Sequence, residues 1–324
     1  MDLANQGKLL VTGADGFIGH ALCARLSALR IAYVAAVRSV AVRDAKSPQF
    51  VALGDFAAAD WAAALCGVSA VVHLAGRAHV LHEPRTGALT PYVVANVHVT
   101  RRLAEAAVVA GVQRIVFAST VKVYGERTPP GRPFRAGDPA APLDAYAQSK
   151  AEAEKVLHEI CRERGMEAVC LRLPLTYGAG VKGNFLALLE AVAAEQWLPL
   201  AGIANRRSLL YVGNAVSAIE AALAVPALAG QTLPIADAES VSTSELVDRL
   251  ASALGVSART FRVPPFILRA GAAMAGRAAA VDRLLDSLEV DATRFHEMAT
   301  WSPPYPLEQG LAATVAWWRL RHAL

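Results

Sequence analysis

Aromatic residues make up only 6% of this 324-residue chain, and Lys and Arg never run more than two together. With a net charge of just +4, it lacks the basic stripe and stacking side chains of a nucleic-acid surface, so no nucleic-acid partner is expected. Cysteine is equally scarce. Cys23, Cys66, Cys161 and Cys170 show no metal-ligand spacing and lie in apolar or helical stretches, so reduced, buried thiols and no metal are expected. Residues 1–6 have neither the charged nor the apolar part of an export signal. The most apolar late stretch, 267–281, is broken by Arg269 and Arg277. It is too short to span a bilayer and reads as a packed or partner-facing helix. A cytoplasmic protein with no membrane partner is the expectation.

Apolar residues are plentiful, 54% against 19% charged, which suffices for a sizeable core and argues against disorder. The length suits two domain-sized units or one large α/β unit with an appendage. Short apolar runs at 8–12, 31–37, 50–53, 70–74, 114–118 and 168–173 are several times rich in Val and Ile. Continuous apolarity of this kind suits parallel strands buried on both faces. Helical stretches at 17–29, 60–66, 89–110 and 145–164 separate them, so the pattern predicts an α/β fold, a Rossmann-type doubly wound parallel sheet with right-handed crossovers. Beyond about residue 175 Gly and Pro punctuate helices at 184–195, 214–224, 243–254, 266–285 and 307–320. The reading is a dinucleotide-binding domain over 1–175 and a smaller, mostly helical substrate-binding region over 176–324. The Pro- and Gly-rich loop 128–142 is expected to be mobile or shaped by a partner.

Two local patterns carry the chemistry. Thr12-Gly13-Ala14-Asp15-Gly16-Phe17-Ile18-Gly19 joins the first strand to the first helix. Glycines there let the backbone approach a pyrophosphate and aim helix N-terminal amides at it. Plain turn chemistry is the competing reading of such glycines. The second strand ends Ala36-Val37-Arg38-Ser39, with Arg43 nearby and no acid to take a ribose 2′-hydroxyl. That leans towards NADP over NAD; the alternative is that Arg38 stacks on the adenine of NAD. Asp55, with Phe56 after the third strand, is the candidate contact to the adenine amino group.

The second pattern is Tyr146 and Lys150, four residues apart and so on one helix face. A nearby ammonium favours a phenolate, so Lys150 is expected to lower the Tyr146 pKa and also to hold the nicotinamide ribose. Thr120, after the fifth strand, is placed to align a substrate oxygen with Tyr146. Tyrosine and lysine share helices by chance, but the glycine turn and the hydroxyl in the same chain argue for acid–base work beside a hydride carrier. A dinucleotide-sensing regulator without catalysis is the reading of another class; the Tyr/Lys pair speaks against it.

At these residues the chain resembles the extended short-chain dehydrogenase/reductase family, in particular its nucleotide-sugar epimerases and reductases. The resemblance rests on Thr12 to Gly19, His73-Leu74-Ala75-Gly76, Asn96-Val97, Ser119-Thr120-Val121-Lys122-Val123-Tyr124-Gly125, the Tyr146/Lys150 pair and Trp301-Ser302-Pro303-Pro304 with Leu307-Glu308-Gln309-Gly310-Leu311. It implies catalysis by Thr120, Tyr146 and Lys150. A dinucleotide would be held by Gly13, Gly16, Phe17, Ile18, Gly19, Leu74, Ala75 and Pro174, and a UDP-sugar diphosphate by Asn184 and Arg207. A homodimer through helices 89–110 and 145–164 is implied too. His79 is either a sugar or pyrophosphate contact or a solvent-facing loop residue, and Arg283 either a second diphosphate ligand or a structural ion-pair partner. Val121-Lys122 stands where related dehydratases carry Asp-Glu, so water elimination is not expected. Hydride transfer at carbon-4 of a UDP-hexose, as epimerase or as 4-keto-6-deoxy-sugar reductase, is the expected activity.

Overall fold

The computed structural model describes residues 7–39, 49–77, 89–274, 276 and 278–322. His79 and Arg43 lie outside them. The strands are β1 (Lys8–Thr12), β2 (Tyr33–Val37), β3 (Phe50–Ala52), β4 (Val68–His73), β5 (Arg114–Thr120), β6 (Phe134–Arg135), β7 (Glu167–Leu173), β8 (Leu175–Tyr177), β9 (Arg207–Tyr211), β10 (Thr232–Pro234), β11 (Ser240–Val241) and β12 (Val290–Asp291). The helices are α1 (Phe17–Ala28), α2 (Ala62–Leu65), α3 (Leu89–Tyr92), α4 (Val99–Val109), α5 (Ala145–Arg164), α6 (Gly183–Ala193), α7 (Val212–Ala224), α8 (Thr243–Leu254), α9 (Pro265–Met274), α10 (Ala278–Leu285), α11 (Thr293–Ala299) and α12 (Leu307–His322).

A seven-stranded parallel sheet in the order β10-β7-β5-β4-β1-β2-β3 forms the centre, the Rossmann-type arrangement expected. The order reverses between β1 and β4, whose ends Thr12 and His73 are paired neighbours. A crevice opens outside the carboxyl ends of strands at such a switch point. The apolar runs are explained by cover on both faces. Leu22, Leu26, Val216, Ile219 and Phe295, from α1, α7 and α11, bury one face. Trp61, Leu103, Val156 and Leu157, from the segments before and within α2, α4 and α5, bury the other. A third cluster, with Tyr177, Phe185, Leu209, Val247, Leu250 and Leu311, fills the C-terminal region around the β11-β9-β8 sheet.

The sequence puts a boundary near residue 175, yet β10 and the covering helices α7 and α11 come from beyond it. The Arg114 guanidinium ties this return to β5, donating to the carbonyls of Ala222, Leu223 and Val225 at the end of α7. It also pairs with Glu167 at 2.6 Å. On β7, Arg172 makes two hydrogen bonds, 3.0 and 2.7 Å, to Glu154 of α5, with the Tyr124 ring 4.2 Å from the guanidinium carbon. Removing one member of so buried a pair strands the other charge.

Several local expectations change. Residues 89–109 are helical throughout, but Val93–His98 forms a π segment between α3 and α4. Its hydrophobic pattern is indistinguishable from that of an α-helix over so few residues. Residues 266–285 divide into α9 and α10. On α9, Phe266, Ile267 and Met274 are exposed and Ala272 is buried, so this segment faces outward. The loop 128–142 is pinned: β6 pairs with β12, and Thr128 N–H donates to the Ser287 carbonyl. Cys23, Cys161 and Cys170 are buried, but Cys66 is exposed at the end of α2, where the chain turns out before β4. Local chemistry sets the helix ends that matter. Asp144 caps α5 by accepting from the Ala147 N–H, and Gly165 ends it at φ 72°, a left-handed cap that only glycine adopts without strain. Ser242 and Glu245 form a reciprocal capping box on α8.

Candidate active site

A cleft of about 350 Å³ opens at the switch point, lined on one side by Gly13, Gly16, Phe17, Ile18 and Gly19 and on the other by Tyr146, Lys150 and Pro174. Gly13 has φ 66°, and a Cβ there would come 2.8 Å from the Ala75 N. A Cβ on Gly19 would run into the Gly13 carbonyl. These glycines let the turn, the α1 start and the β4 exit close on one another. Gly16 caps α1 with no side-chain hydrogen bond, and no acid stands in its first turn. Such an N-terminus suits an anion. In the same wall the Ser119 hydroxyl is buried and has no hydrogen-bond partner among the described residues. Orphaned hydroxyls and uncapped amides are what a polar, phosphate-bearing dinucleotide would satisfy.

A hydrogen-bond chain ties the glycine turn to the Tyr/Lys helix. Thr12 Oγ1 accepts from the Ala75 N–H and lies 2.7 Å from His73 Nδ1, while His73 Nε2 lies 3.0 Å from Thr100 Oγ1. Thr100 in turn donates to the Asn96 carbonyl. These directions place the imidazole proton on Nε2. Burial, with the Lys150 charge adding, pushes His73 down to about 3. Asn96, in the π segment, donates to Ser149 Oγ at 2.8 Å and accepts from the Arg77 N–H at 2.7 Å. Ser149 then donates to the Tyr146 carbonyl.

Tyr146 and Lys150 both reach the cleft from α5. The expected acidic phenol is not found. Burial pushes Tyr146 up to about 12; the Thr120 hydroxyl pulls the other way, and Asp144 and Tyr92 add to the rise. Lys150 has turned to the Phe117 ring, and burial pushes its own pKa down to about 7 against the opposing pull of Glu154. Spacing puts the two on one face but says nothing of how deeply each is desolvated. Thr120 is buried at the end of β5, its Oγ1 accepting from the Lys122 N–H at 3.3 Å.

The other expected residues are spread around this centre. Leu74 lines the cleft, and Ala75 is held beside it through Thr12. Arg38 is exposed at the end of β2, where its carbonyl accepts from the Gly54 N–H. Asp55 accepts from the Ala57 N–H, while the Phe56 ring is buried against Trp61, 5.1 Å between centroids. Asn184 is exposed in the first turn of α6. Arg207, half-buried on β9, donates to the Asp286 carbonyl at 2.9 Å. Burial and the neighbouring Arg283 lower its pKa, with Asp286 opposing them. Sequence reading did not assign Ser119, Gly76, Arg77 or Thr176 to the cleft; the hydroxyl pair ending β5 was the available signal for Ser119. Another concavity, about 450 Å³ and lined by Gln113, Arg164 and Glu167, lies at the opposite, amino-terminal edge of the sheet.

Residues 9–236 match the NAD dependent epimerase/dehydratase family. The chain belongs to that family. It is an enzyme of the extended short-chain dehydrogenase/reductase type, acting on nucleotide sugars with a nicotinamide dinucleotide. UDP-glucose 4-epimerase of Vibrio cholerae is 36% identical over 95% of this chain and 94% of its own length. dTDP-6-deoxy-L-talose 4-dehydrogenase (NAD(P)(+)) of Kitasatospora kifunensis is 34% identical over 58% of each chain. Among solved structures, MoeE5 in complex with UDP-glucose and NAD superposes with a TM-score of 0.78 at 26% identity, covering 98% of this chain and all of that one. Among the described residues of this family member, no helix is long and apolar enough to cross a membrane.

Proposed function

We propose that this family member is an NAD(P)-dependent 4-epimerase of a UDP-hexose. The observation carrying the proposal is the meeting of Tyr146 and Lys150 with the glycine turn at one cleft, the Thr120 hydroxyl bonded to the phenol, in a chain similar over 95% of its length to a UDP-glucose 4-epimerase. In this reading the α1 amides behind Gly13, Gly16 and Gly19 take the pyrophosphate, Asp55 takes the adenine side and Lys150 the nicotinamide ribose. Bound there, the dinucleotide supplies a hydride acceptor and donor. Tyr146 takes the proton from the sugar 4-hydroxyl and gives it back to the same oxygen once the 4-keto sugar has turned its other face to the bound dinucleotide, with Thr120 holding that oxygen in line. The positive charge of an oxidised nicotinamide would favour the phenolate that burial now disfavours. Arg207 and Arg283 clamp the UDP diphosphate, with Asn184 at its side. The enzyme works as a homodimer joined through residues 89–110 and α5.

A second reading, reduction of a UDP-4-keto-6-deoxy-hexose with NADPH, is favoured by one observation: Arg38 ends β2 where an acid would hold an NAD ribose. Purification without added cofactor separates the two. Retained NAD, with conversion of UDP-glucose to UDP-galactose, supports the epimerase. An empty protein that takes NADPH tightly, and interconverts no UDP-hexose pair, overturns the epimerase reading in favour of the reductase. Equal affinity for NAD and NADP would remove the argument from Arg38. Light scattering on the purified chain tests the dimer.

A further inference from the structure

Lys122 follows Thr120 in the turn after β5, and its side chain is only 21% exposed. Its backbone N–H donates to Thr120 Oγ1. Its ammonium lies 2.7 Å from Asp144 Oδ2 and 3.0 Å from Glu126 Oε1. Asp144 uses its other oxygen, Oδ1, to accept from the Ala147 N–H at 2.7 Å, the bond that starts α5. One residue thus touches both elements that carry the proposed proton-transfer pair. We propose that Lys122 is a positioning residue: it holds the Thr120 hydroxyl and clamps the carboxylate that caps the Tyr146 helix.

The clamp has two effects. It holds Asp144 by Oδ2 while the Ala147 N–H holds Oδ1, so the first turn of α5, with Tyr146 in it, keeps one register against Thr120. It also places a positive charge on the carboxylate two residues from the phenol. Burial works against the Asp144 charge, yet the bonds from Lys122 and the Ala147 N–H outweigh it and hold the carboxyl below its usual range. Left without the ammonium, that anion would oppose phenolate formation across a poorly solvated gap. The other groups acting on the phenol are Thr120 from β5 and Tyr92 from α3 with the Arg77 guanidinium over its ring, while Lys150, one turn along α5, lies over the Phe117 ring. Glu126 bonds the ammonium and also the Asp144 carboxyl, adding to its lowered pKa. Removing one member of this part-buried pair also costs stability, so the effect is read on the phenol and not on Tm.

This inference rests on Tyr146 as the proton carrier, and the test is built to read without knowing the sugar. The phenol is titrated by ultraviolet difference absorbance in the full chain with NAD bound, using Tyr146→Phe as blank. In Lys122→Gln the Tyr146 transition moves up by about one pH unit, a roughly tenfold loss of phenolate at a given pH. Affinity for NAD stays at the parent value. Lys122→Arg keeps the parent transition. Lys122→Gln with Asp144→Asn returns to it, because Asn still caps the helix without charge. Where turnover is measurable, kcat falls in Lys122→Gln with KM unchanged, and its pH limb follows the phenol. A parent-like transition in Lys122→Gln overturns the proposal, as does a shift that persists in the double variant. Should Lys122→Gln not fold, Lys122→Arg against the double variant decides: equal transitions support the clamp and unequal ones overturn it. Absence of UDP-glucose turnover with the titrations intact would count against the epimerase reading and leave the clamp standing.

Discussion

The Lys150 ammonium lies 3.8 Å from the centroid of the Phe117 ring, in the wall of the cleft. A cation over a ring face gains from the ring quadrupole, but less than water gives it. Hence Lys150 titrates at about 7 in place of 10.5.

That shift has a stability consequence. A lysine whose pKa is lowered by folding binds fewer protons folded than unfolded between about 7 and 10.5. Stability therefore rises with pH across that window, and the burial penalty is present in full below it. Lys150→Met should raise Tm most below pH 7, with the gain closing towards pH 10.5. Thermal melts without dinucleotide, run across the window, measure this; a gain independent of pH would contradict it.

Tyr146→Phe removes the proton carrier and leaves the glycine turn intact. Turnover of a UDP-sugar should fall by about 10²–10⁴-fold, the usual contribution of a positioned acid–base. Dinucleotide affinity, measured by calorimetry, should hold. Near-parental turnover would remove Tyr146 from the mechanism.

Arg207 and Arg283 are predicted to act on the diphosphate. A charge-assisted hydrogen bond is worth about 1.5–3 kcal/mol, so Arg207→Met should weaken UDP binding roughly 10- to 150-fold. NAD affinity should not change. Calorimetry with UDP alone reads this without reference to the sugar, and an unaltered UDP affinity would move the diphosphate elsewhere.

His73 makes the fold acid-sensitive. Its pKa, lowered from 6.5 to about 3, means the unfolded chain binds the extra proton first as pH falls. The stability that the neutral ring confers is present above pH 6.5 and lost progressively towards pH 3. Replacing His73 with Gln should flatten the fall in Tm over this range, and a parallel fall in both proteins would assign acid lability to other groups.

The glycine turn, the strands β1 to β5 and β7 and the Tyr146/Lys150 helix were legible because each rests on near neighbours in the chain. The α5 helix runs over the span its pattern predicts, since Asp144 and Gly165 bound it locally. The edge strand β10 escaped notice because three residues carry no pattern. The π segment escaped because its apolar spacing is that of a helix. Nothing in the spacing of Arg207 and Arg283 showed that the charge of one acts on the other. The Lys122 clamp was half visible: the lysine stood out as a departure from the dehydratase pattern, but its partner Asp144 comes from another element.

By itself the sequence determined the β-α alternation, the turn able to approach a pyrophosphate, and a phenol and an amine sharing a helix face. All of these follow from backbone geometry and hydrophobic period. Only the tertiary structure decided which charges lose their water and which find a partner. Desolvation and pairing depend on what packs over a group, and for Lys150, His73 and Asp144 those neighbours lie on other strands and helices.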